Sequence, residues 1–515
     1  MDLPLIMSRI HPLKILNHNS RRAQADCRSP LASICGLPGS FSTARITWGE
    51  RARTKFGERL SYRSTPGTRE QAQKCIAVEQ GYPYLKCPKT LMFRRFFPSG
   101  GRCTFAVIGH IGKESTGWMR KRVGLTSLVI FVLALSFFLL GIAKPPDYVL
   151  DESVHVVRAR AILNGTTDAN PDHPPLAKML MALGMKLAGE NSFGWRMPGA
   201  VFGALTLVAV FLWTQLLSSN YQVALIATGL TLLNNFLFVM ARVAMLDVYY
   251  FEFVMWALVA FTGSLTLDVS LARRRSLVVL SGIFFGLGEA CKWSTVVTLA
   301  AVILVSVTSY LRGTHHLRQI GVLTLIVSFL FLPVIVYGLS YWPWFYRYHR
   351  PFTLADVLSE NVYMWRYHVT VAGNAAIDSR WYTWIFRIGP ERGLSYLVGN
   401  YVVVWGGFLA LLNCAWKFCR SLSLPEGLVT LFYGVNLLQW VIIPQHRTVY
   451  YYYYPCAMFL TVALAIVLGQ MQDRRILGIR PVVLVFVAAA LMFVYCYPRM
   501  AALDAPYDCA LGCWN

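Results

Sequence analysis

Residues 119–152 read MRKRVGLTSLVIFVLALSFFLLGIAKPPDYVLDE. Three cations, Arg120, Lys121 and Arg122, precede an uncharged run, and two acids, Asp151 and Glu152, close the segment. A bilayer core is crossed by about 20 apolar residues in a helix. Lys and Arg beside a span stay on the cytoplasmic side. The stretch therefore predicts a first span that enters from the cytoplasm and sets an acid pair at the opposite boundary. Met119 reads as the start of an uncleaved signal-anchor.

The same alternation continues to the end of the chain. Apolar runs predict helices near 124–143, 198–218, 221–240, 244–266, 277–291, 295–311, 319–341, 396–415, 427–443, 448–470 and 480–497. They must be helical, because lipid cannot satisfy an open backbone. Alternating them from a cytoplasmic start puts Arg273–Arg275, Arg312 with Arg318, Lys417 with Arg420, and Arg474 with Arg475 and Arg480 on the inner side. The segments 144–197 and 342–395 and the C-terminus fall outside. The fold expected is an all-α polytopic membrane bundle of about eleven spans.

Composition agrees. Of 515 residues, 56% are apolar and 14% charged, and the mean hydropathy is +0.48. That excludes an ordinary soluble enzyme, a disordered scaffold and a disulfide-rich secreted module. Of the net charge of +23, residues 1–122 carry +15. This leader is rich in Arg, Ser, Gly and Pro, without an aromatic–basic repeat, so no nucleic-acid partner is expected. Residues 1–118 read as a disordered or spuriously translated leader, and 119–515 as the membrane domain. The 12 cysteines contain no CxxC pair. Cys509 and Cys513 are spaced to pair in an oxidising compartment or to remain free thiols.

The first outer loop, 144–197, is too long for a plain connector. Leu176, Leu180, Leu183 and Leu187 recur at helical spacing. Two short helices lying in the interface are expected, one on each side of the Asn170–Pro175 turn. In the second outer loop, Trp342, Trp344, Trp365, Trp381 and Trp384 suggest an interfacial aromatic belt, with acceptor or lipid-chain contact as the alternative.

Ionisable groups at membrane depth are functional candidates unless they are paired. Asp151 and Glu152 point about 100° apart on a helix, so one can face a reaction while the other holds a cation or backbone. His173, Lys178, Arg196, Arg242, Asp247, Lys292 and Arg447 all map to the outer face. Singly, each reads as a snorkelling anchor. Together they suit a lipid-borne phosphate: Arg196, Lys178, Arg242, Lys292 and Arg447 would hold it and stabilise it as a leaving group. One carboxylate would serve as base toward a hydroxyl. A single base opposite a charged leaving group implies one displacement with inversion.

The ordered segments LDESVH (150–155), DHPPLAKMLMALG (172–184), FGWRMPGAVFGAL (193–205), ARVAMLDVYYFE (241–252), ACKWS (290–294) and QHRTVYYYYYPCAMF (445–459) resemble the dolichyl/polyprenyl-phosphate-mannose protein O-mannosyltransferases of the GT-C superfamily. The resemblance spans most of 119–515. It implies a GT-C bundle, Asp151 as catalytic base with Glu152 as its partner, Arg196 near the donor phosphate, His173 and Lys178 in the HPP-and-Lys loop, and Asp247 opening the fourth span. It implies a polyprenyl-phosphate-linked sugar donor and a secreted or membrane protein acceptor. The segment 342–395 is too short for the MIR domain of eukaryotic members, so a bacterial form in the plasma (inner) membrane is expected, its site on the extracytoplasmic side. Related aminoarabinose transferases acting on lipid A carry Lys before the two prolines, where this chain has His173. A transporter or flippase is the alternative of another class, but no repeated halves are visible. No cofactor is required by the pattern. A divalent cation stays open, since no ligand spacing demands one.

Overall fold

The computed structural model describes residues 113–166, 172–370, 379–389, 397–442 and 448–501. The leader to residue 112, Arg447, Cys509 and Cys513 lie outside these residues.

The described chain is helical, with no β-sheet. Its helices are α1 Lys113–Leu139, α2 Glu152–Asn164, α3 Leu176–Ala188, α4 Ser192–Ser218, α5 Tyr221–Leu232, α6 Asn235–Arg242, α7 Leu246–Thr266, α8 Leu271–Glu289, α9 Thr295–Leu311 and α10 His315–Ile320. Then follow α11 Val322–Arg347, α12 Leu354–Thr370, α13 Tyr401–Ser421, α14 Leu424–Ile442, α15 Tyr454–Gln470 and α16 Pro481–Met500. Each of the eleven apolar runs has a helical counterpart. By length and apolarity alone, seven described helices can cross a membrane, or eight with the bent pair α5–α6. Three fall short: α8 carries three arginines near its start, α9 is 17 residues long, and α14 includes Glu426, Asn436 and Gln439.

Burial sorts the spans into an inner and an outer set. In their most apolar windows α4, α7 and the span ending in α15 are 67%, 78% and 83% buried, whereas α1, α11 and α16 are 11%, 22% and 22% buried. The outer helices therefore show Leu, Val and Phe to lipid, as Leu125, Val132, Phe331 and Leu491 do. The inner ones pack against each other.

The α5–α6 span bends by 61° at Leu233–Asn234. The freed backbone groups find side-chain partners, as burial demands. Asn234 accepts from the Phe236 N–H and donates to the Ala457 carbonyl; Asn400 donates to the carbonyls of Leu233 and Ala489. Deep between α4 and α7, Glu252 accepts from the Thr206 hydroxyl at 2.9 Å and from the Trp256 indole at 2.5 Å. A buried acid is tolerable there because both of its oxygens are engaged.

The two short helices expected in the first outer loop are α2 and α3. Leu183 and Leu187 on α3 are exposed, as an interfacial face requires. Asn191 caps α4 by accepting from the Gly194 N–H. A Cβ on Gly194 would lie 1.9 Å from the Gly189 carbonyl oxygen, so only glycine lets α4 start this close to the end of α3. That contact sets the height of Arg196, one helical step further on.

The tryptophans of 342–384 divide. Trp342 and Trp365 are exposed, as a belt requires; Trp344 and Trp384 are buried in protein, which corrects the belt reading for them. Trp384 donates to Ser379 and packs edge-on to Trp440.

Candidate active site

The acid pair opens α2, and its two members take different work. Glu152 is fully buried. Its Oε1 accepts from Arg196 Nε at 2.7 Å and from the Ala244 N–H at 2.8 Å; its Oε2 accepts from Arg196 Nη2 at 2.7 Å and from the Val149 N–H at 2.9 Å. Arg196 spends its remaining donors on the carbonyls of Ile142, Pro145 and Asp147. All five guanidinium N–H groups are used, and the residue is 1% exposed. In this arrangement no Arg196 N–H is left over for a further partner. The two Glu152 oxygens are likewise met by four donors. The pair ties the end of α1, the loop 140–149 and α4 to the base of α2.

Arg242 also meets backbone, through its Nη1. It donates to the carbonyls of Phe138 and Leu140 and lies over the Phe238 ring at 4.9 Å. It caps the C-terminal end of α1, where carbonyls concentrate negative partial charge.

Asp151, half-buried, faces elsewhere. Its Oδ2 accepts from the Tyr451 hydroxyl at 2.5 Å, and Oδ1 has no hydrogen-bond partner among the described residues. Tyr451 belongs to the 3-10 turn Tyr450–Tyr453 that leads into α15. The neighbouring rings gather a cation: Lys292 Nζ lies 4.5 Å from the Tyr452 ring centroid and 5.7 Å from that of Tyr451. Both Asp247 oxygens accept from Lys292 at 2.9 Å. Asp247 and Lys292 sit on the turns that open α7 and follow α8, so the fold brings Asp151, Asp247 and Lys292 together from three outer turns.

The second cation is Lys178, on the first turn of α3 and 1% exposed. It lies 3.9 Å from Asp172 Oδ1, and the same carboxylate pairs with Arg158 of α2. Around it stand three imidazoles. The His173 ring centroid is 6.0 Å from that of His155 and 5.0 Å from that of His368. Burial pushes the His155 pKa well down, and Lys178, Arg158 and Lys292 add to this. Burial, then Lys292 with the other two histidines and Lys178, does the same to His173. Burial and then Lys292 bring His368 down to about 4. The three rings are therefore neutral near pH 7, and the positive charge resides on Lys178, Lys292 and Arg158.

Sequence reasoning missed Asp172, Arg158, His155, His368 and Tyr451. Asp172 and His155 stood inside quoted motifs. Tyr451 is one of five consecutive tyrosines, and nothing local distinguishes it. Among the described residues no three His, Cys, Asp or Glu side chains form a group able to hold a metal ion.

A half-buried carboxylate beside two buried ammonium groups, at one end of a helical bundle, suits transfer chemistry on an anionic lipid. Fold and site together are those of a polytopic helical membrane protein with acids and cations gathered at one place. The family model described as dolichyl-phosphate-mannose-protein mannosyltransferase matches residues 172–337, from Asp172 through most of α11. The polyprenol-phosphate-mannose–protein mannosyltransferase of Corynebacterium glutamicum is 25% identical over 427 residues, covering 67% of this chain and 82% of that protein. Its counterpart in Mycolicibacterium smegmatis is 25% identical over 480 residues, covering 76% and 90%. The structure of the S. cerevisiae protein O-mannosyltransferase Pmt1–Pmt2 complex bound to the sugar donor superposes with a TM-score of 0.64 at 12% identity, covering 74% of this chain and 90% of that one, and it shows the shared fold. The chain is thus similar to protein mannosyltransferases in sequence and shares the fold of one of them.

Proposed function

We propose that the enzyme moves a mannose-like sugar from a polyprenyl-phosphate donor to a Ser or Thr hydroxyl of a protein, on the extracytoplasmic side of the plasma membrane. The observation that carries this reading is Asp151: one oxygen is held by Tyr451 and the other is left for a substrate. Asp151 takes the proton of the acceptor hydroxyl as its oxygen attacks the anomeric carbon. The bond from that carbon to the phosphate oxygen breaks, and the electron pair leaves with the polyprenyl phosphate. Lys178 and Lys292 stabilise the charge gained by the leaving phosphate. One displacement inverts the anomeric centre. Asp247 keeps the Lys292 ammonium aimed into the site, and His173 forms the wall between the two lysines. The curated relatives support donor and acceptor class through their names.

The catalytic unit on this reading is 119–515, and the leader takes no part. The test is to incubate purified enzyme in vesicles that contain lipid A with radiolabelled polyprenyl-phosphate mannose and an extracytoplasmic protein acceptor. Label in protein, lost after Asp151→Asn, supports the reading. Label in lipid A instead would move the acceptor to the aminoarabinose-transferase type, and label in neither would remove the assignment.

A further inference from the structure

Helix α12 lies in the second outer loop and carries two unlike faces. Leu354, Leu358, Val362 and Trp365 fall on one stripe and are 75%, 56%, 49% and 54% exposed. Val357, Asn361, Met364 and His368 fall on another; Val357 and Met364 are buried. The inner stripe is tied down twice. Asn361 Oδ1 accepts from the Tyr337 hydroxyl at 2.6 Å, and the Tyr337 oxygen accepts from the Trp293 indole at 3.0 Å. Trp293 directly follows Lys292. The second tie is His368 Nε2, 2.7 Å from the Asp172 carbonyl oxygen. A carbonyl only accepts, so Nε2 carries the proton. Asp172 in turn faces Lys178 with its carboxylate. Each tie thus ends at a residue beside one of the two site lysines.

We propose that α12 is a strap seated on the outer leaflet, and that His368 on its inner face is a positioning residue that holds the Asp172–His173 turn, and through it Lys178, for the donor phosphate. The part about Lys178 rests on the function proposed above. The bilayer is the occupant of the exposed stripe because that stripe continues a lipid-facing one. Span α11 ends six residues before α12 begins, with Leu339, Trp342 and Tyr346 exposed on it. Aromatic residues at a span's end mark the headgroup level. A helix starting there with four exposed apolar side chains in a row lies in the interface plane. Its two acids are met from the side by Arg350, which lies 2.7 Å from Glu360 and 3.9 Å from Asp356.

Two measurements test this. A nitroxide on Leu358→Cys in lipid vesicles is expected to be relaxed by oxygen and protected from a water-soluble nickel chelate. Relaxation by the chelate instead would overturn the membrane seat, whatever the enzyme transfers. His368→Ala is expected to raise the KM for the lipid donor about tenfold while kcat changes little, the scale of one lost hydrogen bond. His368→Gln, which can place an N–H on the same carbonyl, should recover most of it. A donor KM unchanged in His368→Ala, while Lys178→Met still raises it, would overturn the positioning role and leave the donor reading intact. A donor KM unchanged in both variants would instead sink the donor reading and, with it, the link to Lys178.

Discussion

The Tyr451 hydroxyl and the Asp151 carboxylate, 300 residues apart in the chain, are joined by a 2.5 Å hydrogen bond. On the function proposed above, the bond leaves the other oxygen of Asp151 for the acceptor, and so sets the direction from which a hydroxyl approaches. Asp151→Asn should abolish transfer with the protein still inserted, a loss of about 10²–10⁴ for a general base. Tyr451→Phe should lower kcat by about tenfold and leave the donor KM nearly unchanged, as one hydrogen bond to a charged group warrants. Initial rates with purified variants decide it, and full turnover by Asp151→Asn would remove the base.

Glu152 and Arg196 form the opposite kind of pair. Both are buried and every polar atom is engaged. Removing one partner of such a pair costs about 3–5 kcal/mol. Arg196→Ala and Glu152→Gln should therefore lower the detergent-solubilised melting temperature and the yield. Arg196→Lys should not rescue, because a lysine cannot reach three carbonyls and a carboxylate at once. A normally stable Arg196→Ala enzyme with a raised donor KM alone would return this arginine to the phosphate.

Lys178→Met and Lys292→Met should each raise the donor KM by about tenfold or more, since each removes one charge-assisted contact to a phosphate. The effect should be seen at saturating acceptor. If only the acceptor KM moved, the two lysines would belong to the other substrate.

The imidazoles predict a pH dependence of stability. His368 takes up a proton only near pH 4 when folded, against about 6.5 in an unfolded chain. Between those values the unfolded chain binds more protons, so stability falls as the pH is lowered. His155 and His173, also shifted downward, act in the same direction. Thermal melts should drop between pH 7 and pH 5, with a shallower drop in His368→Gln. A melting temperature flat over that range would mean the histidines take up protons alike in the folded and the unfolded chain.

Sidedness has its own test. A cysteine at Ser359 should react with an impermeant reagent from outside, and one at Arg274 should not. The reverse labelling would put the site in the cytosol, where the orientation read from the basic loops forbids it.

Much of the fold was legible because lipid imposes one requirement, a long apolar run, that shows residue by residue. The counterparts of 295–311 and 480–497 lie within a few residues of their expected bounds. Helix α12 was not legible: its apolar residues alternate with Asp356, Glu360 and Arg366, and no run stands out. The cations were harder still. An arginine facing a phosphate and one facing backbone carbonyls have the same local sequence. Arg196 and Arg242 are told apart from Lys178 and Lys292 only by what the tertiary fold lays against them. The acid pair was half legible, since helical geometry separates Asp151 from Glu152 without saying which one meets substrate.

The Glu252–Thr206 bond bears on how the polypeptide is assembled. Thr206 is made 46 residues before Glu252, so the hydroxyl that meets the acid precedes it in synthesis. Without α4 beside it, the α7 carboxyl group would keep only the Trp256 indole of its own helix and leave its other oxygen unpaired in hydrocarbon, where such a group costs several kcal/mol. The order of the genetic message thus matches the order in which these two segments need each other.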